Sequence, residues 1–335
     1  VLEEEESGRT ASADCRISFD SQAGEISFEK TLKLVREDGE YHLEWSDDMI
    51  LPNLDSTDKV RVQTVKAQRG RILDRNGKVL AENGTASSVG LVPGKMNEDP
   101  KEDIKKLAGL LDVSEESINK KLSAAWVKED SFVPIRTIEK VSEAGESMDG
   151  ETSQGRKLQE QLLAIDGVLI ADTQARTYPY KEAAAHLTGY VQNVTAEDLE
   201  EHAGEGYSSD SVIGKSGMEA LYEKELKGED GCSILIQDEE GNTKETVASR
   251  SKKDGDDITL TIDMDLQQKL YQEYQQDKSC SVAMNPKTGE VLALVSTPAY
   301  DPDDFVLGMS EKQWSALSEN EDKPMQNRFR AAWCP

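Results

Sequence analysis

No run of apolar residues in this chain is longer than five, and the one that reaches five, Val291–Val295, stands alone. A membrane-crossing helix takes about 20 apolar residues in succession and a secretory leader's core about 7–15, so neither is written into these residues. A chain patterned this way must bury its apolar side chains in several modest cores. Of its 335 residues, 36% are hydrophobic and 5% aromatic, below the usual globular content, and at about 150 residues per domain the length suits two or three domains. Lys and Arg total 39 against 66 Asp and Glu, a formal charge of −27. Phosphate backbones and anionic lipid need a basic footprint, so nucleic acid is excluded as a general partner.

The metal-binding residue types are equally sparse. Cys15, Cys232, Cys280 and Cys334 lie 217, 48 and 54 residues apart, without the tight repeated spacing of a zinc site. His42, His186 and His202 are scattered, and His186, inside the apolar stretch Ala183–Leu187, reads as a satisfied core histidine. No metal or other cofactor is expected.

Residues 1–66 alternate as short strands do. Ile17, Phe19, Ile26, Phe28, Leu32 and Leu34 recur at period two around turns at Gln22–Gly24 and Asp38-Gly39, which predicts an antiparallel sheet with one wet face. The abrupt acidic start at Glu3–Glu6 suits a piece of a domain. From Arg69 to Ala81 a strand, the Asn76-Gly77 turn and a second strand form a hairpin signal. Helices follow at 100–111 and 114–125, and Val141–Arg156 reads as a loop or weak helix. Thr195–Asp198 opens another helix, and Ser216-Gly217-Met218-Glu219 spells a capping box, a hydroxyl and a carboxylate satisfying each other's backbone N–H. A hairpin is expected at 232–248, a polar linker at 249–257, a strand at 258–262 and a helix capped by Asp263. A last hairpin, Ser281–Asn285 with Glu290–Ser296, leaves an unpaired edge.

Four of these blocks, in this order, resemble the class B penicillin-binding proteins, the peptidoglycan D,D-transpeptidases of bacterial wall synthesis. Arg69-Gly70-Arg71-Ile72 through Asp74-Arg75-Asn76-Gly77 is similar to the motif that opens the family's pedestal. Arg176–Pro179 with Ala184–Leu187, and Gly214–Glu219 with Gly228, resemble two further pedestal blocks. Residues 259–302 resemble the opening of the transpeptidase domain. The strands before residue 66 are similar to the C-terminal half of a cone-shaped domain of nuclear-transport-factor type.

The resemblance implies an α+β multidomain chain. Residues 1–66 would be a partial nuclear-transport-factor-like β domain, 67–255 an elongated pedestal or dimerisation domain, and 256–335 the N-terminal start of a serine transpeptidase domain of β-lactamase-like fold. Arg69, Gly70, Asp74, Arg75, Asn76, Gly77, Arg176, Gly214, Gly217 and Glu219 become the candidate structural junction, with Arg69, Asp74 and Arg75 as a buried ion-pair network and the glycines at turns and helix starts. The location implied is the extracytoplasmic face of the bacterial membrane, with an anchoring helix upstream of residue 1. The implied partners are other cell-wall synthesis proteins. Peptidoglycan stem peptides and β-lactams would be bound by the complete protein only.

The chemistry of the family needs a serine nucleophile at a helix start, with a lysine one turn on to steer its proton. Ser-x-x-Lys occurs here at Ser27/Lys30, Ser56/Lys59, Ser117/Lys120 and Ser249/Lys252. None lies where the resemblance places the nucleophile. Lys287-Thr288-Gly289 precedes that place rather than following it and reads as a type I turn, and Ser318-Glu319-Asn320 is likewise out of order. Asn327-Arg328-Phe329 with Ala331–Pro335 resembles the run leading into the family's Ser-x-x-Lys, so no catalytic residue is assigned and the serine is expected just beyond Pro335. The chain alone should neither cross-link peptidoglycan nor react with penicillin. The alternative is a non-catalytic extracytoplasmic scaffold that binds wall-synthesis partners.

Overall fold

A computed structural model describes residues 2–4, 9–140 and 150–330. The backbone gathers into two compact units, Val1–Gln68 with Lys227–Gly255, and Arg69–Leu226 with Asp256–Pro335. The chain is mixed α+β with several small sheets.

The first unit holds two antiparallel sheets. Leu2–Glu4, Thr10–Ser21, Gly24–Glu37 and Glu40–Leu43 lie side by side in sequence order. Asp38 and Gly39 both have positive φ, 49° and 91°, the two-residue geometry whose twist suits a hairpin. The pairing sets Ile17 opposite Phe28 and Phe19 opposite Ile26, so the alternation seen in the sequence becomes one apolar face. The second sheet is ordered Thr243–Arg250, Gly231–Gln237, Lys59–Val65. This pairing draws residues 227–255 to the first unit, a long-range register that no local pattern signals. Ile26, Leu51, Leu54, Ile234 and Ile236 form its core.

The second unit is built on the long strand Val79–Leu91. Along Ala86–Leu91 it pairs with both Val133–Glu139 and Val168–Thr177, and near its start it pairs with Ile72–Leu73. Every residue from Ala86 to Leu91 is buried. Helices Lys101–Leu111 and Glu115–Leu122 pack Leu107, Leu111 and Ile118 against Val89 and Leu91. At the other end, Ile72, Leu80, Tyr178, Leu226 and Met264 make a second core. Ile258–Thr259 adds parallel to Ile72–Leu73, and helix Met264–Tyr274 follows with Asp263 as its side-chain cap. Ser279–Met284 and Val291–Thr297 form a separate two-stranded sheet.

One local expectation changes. Capping boxes form at Thr195/Asp198 and Ser310/Gln313, whereas Ser216 makes no side-chain cap and the Glu219 carboxylate is engaged by arginines. The Lys287–Gly289 segment lies in a hairpin loop in which Gly289, at φ +77°, donates its N–H to Asn285 C=O at 2.8 Å. Of Val141–Arg156, residues 141–149 lie outside the described residues and the rest enters helix Gly150–Leu163. The run Ala331–Pro335, with Cys334, also lies outside them.

Candidate functional site

The candidate residues of the second unit divide into two clusters, each centred on a carboxylate with no exposed surface. Glu219 is the first. Its Oε2 accepts from Arg69 Nε at 2.7 Å and its Oε1 from Arg176 Nε at 2.7 Å. Tyr178 Oη donates to the same Oε1 at 3.3 Å and accepts from Val191 N–H at 3.0 Å. Arg69 Nη2 also donates to Glu223 Oε2 at 2.6 Å. Two guanidiniums thus face two carboxylates, and the cluster is electrically neutral, the condition under which buried charge is tolerated.

Local structure explains how these side chains converge. Arg176 and Asn83 are register partners across the sheet, so they share a face, and Arg176 Nη1 donates to Asn83 Oδ1 at 3.3 Å. Asn83 Nδ2 in turn donates to Arg69 C=O at 2.9 Å. Arg176 and Tyr178 are two residues apart at the end of a strand and project together. Glu219 and Glu223, four residues apart across two short helices, lie one above the other. Gly214 is obligatory there: a Cβ would stand 2.2 Å from Glu219 O, and its N–H donates to Glu223 Oε2 at 2.9 Å. Gly217 has φ +59°, and a Cβ there would stand 2.4 Å from Gly189 N, so only glycine fits. Gly70 N–H donates to Leu226 C=O at 2.8 Å, fixing the backbone beside Arg69.

Burial on its own would weaken the charge on Arg69, but the adjacent Glu219 and Glu223 more than offset it and hold its pKa above the ordinary arginine value. Burial and the negative charge of Glu219 push the Tyr178 hydroxyl well up. One polar atom, Arg176 Nη2, is buried without a partner. The cluster ties together segments near residues 69, 83, 176 and 219. Apart from Arg176 Nη2, the polar groups named here are paired with one another.

Asp74 centres the second cluster. Its Oδ1 accepts from Asn76 N–H at 2.7 Å and Lys78 N–H at 2.8 Å, and its Oδ2 from Met264 N–H at 3.1 Å. Burial opposes the charge here, yet these backbone donors outweigh it and hold the carboxyl below its usual range. Met264 opens a helix, where a carboxylate is favoured. Gly77, at φ +82°, closes the turn. Asn76 lies at the exposed tip, and Arg75 N–H donates to Ile262 C=O at 2.9 Å.

The ion-pair network expected among Arg69, Asp74 and Arg75 therefore does not form. Arg69 joins Glu219, Asp74 is held by backbone amides, and Arg75 reaches Glu290 at 3.7 Å from a half-exposed position. Glu223, Asn83 and Tyr207, whose hydroxyl donates to Glu223 Oε1 at 2.7 Å, were not singled out from sequence. The four-residue spacing of Glu219 and Glu223 was the available signal.

Elsewhere, carboxylate oxygens of Glu139, Asp301 and Asp303 lie within 4.8 Å of one another, the only such trio of possible metal ligands among the described residues. Lys181 Nζ, 3.0 Å from Glu139 and 3.4 Å from Asp301, already supplies a cation there. Burial and the charge of Asp301 push the Asp303 carboxyl up to about 7. His186 is buried, with Nε2 unpartnered, and burial lowers its pKa to about 4; it is a core histidine, though not a satisfied one.

No Ser-x-x-Lys pair is joined by a hydrogen bond among the described residues. The Lys30 ammonium pairs with Asp48 and that of Lys252 with Asp254, and Ser117 is an exposed position in the first turn of its helix. No helix among the described residues is long and apolar enough to cross a membrane.

Residues 64–260 match the family model of the penicillin-binding protein dimerisation domain. The chain is 38% identical over 324 residues to penicillin-binding protein 3 of Bacillus subtilis, covering 96% of this chain and 46% of that protein. It is 30% identical over 280 residues to the peptidoglycan D,D-transpeptidase MrdA of Escherichia coli K12, covering 81% and 42%. A solved complex of penicillin-binding protein PBP2 with MreC from Helicobacter pylori aligns at a TM-score of 0.57 and 25% identity, over 81% of this chain and 49% of that one. The chain spans about half the length of these relatives.

Proposed function

This chain belongs to the class B penicillin-binding proteins, and from that membership we propose that it is the non-acylating part of a peptidoglycan D,D-transpeptidase, the part that carries and orients the catalytic domain. Three of the four blocks that resemble the family, at Arg69, Arg176 and Gly214–Glu219, meet in one neutral, largely buried charge cluster, and that convergence is the observation that carries the reading. A cluster with every carboxylate already paired has no nucleophile and no base to offer, but it fixes chain segments far apart in sequence.

In this reading the three modules of the family follow one another at 1–66, 67–255 and 256–335. The first is part of a nuclear-transport-factor-like domain and the last is the opening of the β-lactamase-like transpeptidase domain. The acylating serine lies outside these residues, as does the helix that anchors the protein to the outer side of the cell membrane. Stem peptides and β-lactams are ligands of the complete protein. The relative solved in complex with MreC, and another solved in a peptidoglycan synthase complex, support a protein partner from cell-wall synthesis.

The test is labelling with a fluorescent penicillin. The 335-residue chain should give no covalent adduct, and the same chain continued through a downstream Ser-x-x-Lys segment should give one that unlabelled penicillin competes away. Labelling of the 335-residue chain itself would refute the reading. Binding of wall-assembly proteins by a naturally unextended chain would favour the scaffold alternative.

A further inference from the structure

The strand Lys59–Val65 stands at the end of its three-stranded sheet. It pairs with Gly231–Gln237 on one side, and no strand among the described residues pairs with the other. All seven of its residues are exposed. The register sets Val60 opposite Ile236 and Val62 opposite Ile234, so these valines project to the face that Ile234 and Ile236 bury in the core of this unit. Yet Val60 is 44% and Val62 58% exposed. The apolar face runs past its own core and stops uncovered at this edge.

The alternate residues carry charge. Lys59 and Arg61 project to the opposite face, and neither has an ion-pair partner among the described residues. In a chain of net charge −27, this strand edge presents two cations without an ion pair and carries no acid of its own. Charges on an edge strand oppose indiscriminate pairing, and a second copy of this strand brings no acid to either cation.

We propose that the edge Lys59–Val65 receives an extended strand from another polypeptide, one that alternates apolar with acidic side chains. Backbone amides would continue the ladder, the apolar side chains would cover Val60 and Val62, and the acidic ones would stand beside Lys59 and Arg61. The proposal concerns the first unit alone and does not depend on the transpeptidase reading.

The test uses the 335-residue chain and a fluorescent seven-residue peptide alternating valine with glutamate, compared with its valine–lysine counterpart by anisotropy at about 0.15 M salt. The glutamate peptide should bind about tenfold or more tighter than the lysine peptide and slow hydrogen exchange at residues 59–65. The double variant Lys59→Glu/Arg61→Glu, at exposed positions and checked for an unchanged circular dichroism spectrum, should reverse the preference. N-methylation of alternate peptide amides should abolish binding. Equal affinity for the two peptides, an unchanged preference in the double variant, or indifference to N-methylation would overturn the proposal. So would dimerisation of the chain through residues 59–65, which would assign the edge to a second copy.

Discussion

Glu219 and Asp74 are both acidic side chains with no exposed surface in the same unit, and their surroundings differ in kind. Glu219 meets two arginine side chains, from positions 150 and 43 residues away along the chain. Asp74 meets backbone amides, two of them within its own turn. An amide donor comes with the fold of the turn. A guanidinium must be delivered by other elements and must itself be taken out of water, so the first arrangement stakes more on tertiary structure than the second.

Several measurements would break or sharpen this contrast. The largest effect is expected for Glu219→Gln, which keeps the shape but leaves two buried guanidiniums to share Glu223. Breaking a buried pair in this way costs about 3–5 kcal/mol, read from urea unfolding followed by circular dichroism. A loss similar to that of a surface substitution would mean that the cluster is wet in solution.

A third way to bury a titratable group is to discharge it, and His186 follows it. Its pKa of about 4 lies below the ordinary value of 6.5. The unfolded chain therefore binds the extra proton first as the pH falls. The contribution is whole above about 6.5 and is lost toward pH 4, amounting to up to about 3 kcal/mol. His186→Gln should flatten the stability profile in that window. Asp303 runs the other way: its pKa of about 7 is raised, so its contribution is whole below the ordinary carboxylate value and is lost as the pH rises toward 7. Asp303→Asn should remove that slope. A profile unchanged by either variant would show that both groups reach water.

Asp74→Asn should cost less than the change at Glu219, about 1–3 kcal/mol, because one oxygen still accepts the turn amides while an NH2 group now meets Met264 N–H. The smallest effect belongs to the exposed pairs. Arg16, 3.1 Å from Glu29 with both side chains largely in water, should cost no more than about 1 kcal/mol when replaced by Met.

The same contrast explains what could be read in advance. Asp74 lies in a hairpin that Asn76-Gly77 announces, and the cap of helix Met264–Tyr274 is written in Asp263, because turn and cap chemistry is local. Glu219 looked like the second half of a capping box with Ser216. Its actual partners lie on distant segments, Arg176 on a strand and Arg69 in the connection before one, and only the tertiary fold brings them near. Asn83 shows the same blindness: its neighbours in sequence say nothing of Arg69 and Arg176. The pairing of Lys59–Val65 with Gly231–Gln237 was illegible for the same reason. Residue type and spacing report on bonds made within a few residues. Bonds across more than a hundred residues depend on topology.

The most direct test of the account is a double-mutant cycle on the Arg176–Glu219 pair, using Arg176→Met, Glu219→Gln and both together, with unfolding free energies from urea titration. If the cluster is one interdependent body, the double variant should be more stable than the sum of the single losses implies, by about 1.5 kcal/mol or more. Additivity within about 0.5 kcal/mol would contradict it and leave Arg176 and Glu219 as neighbours without energetic coupling.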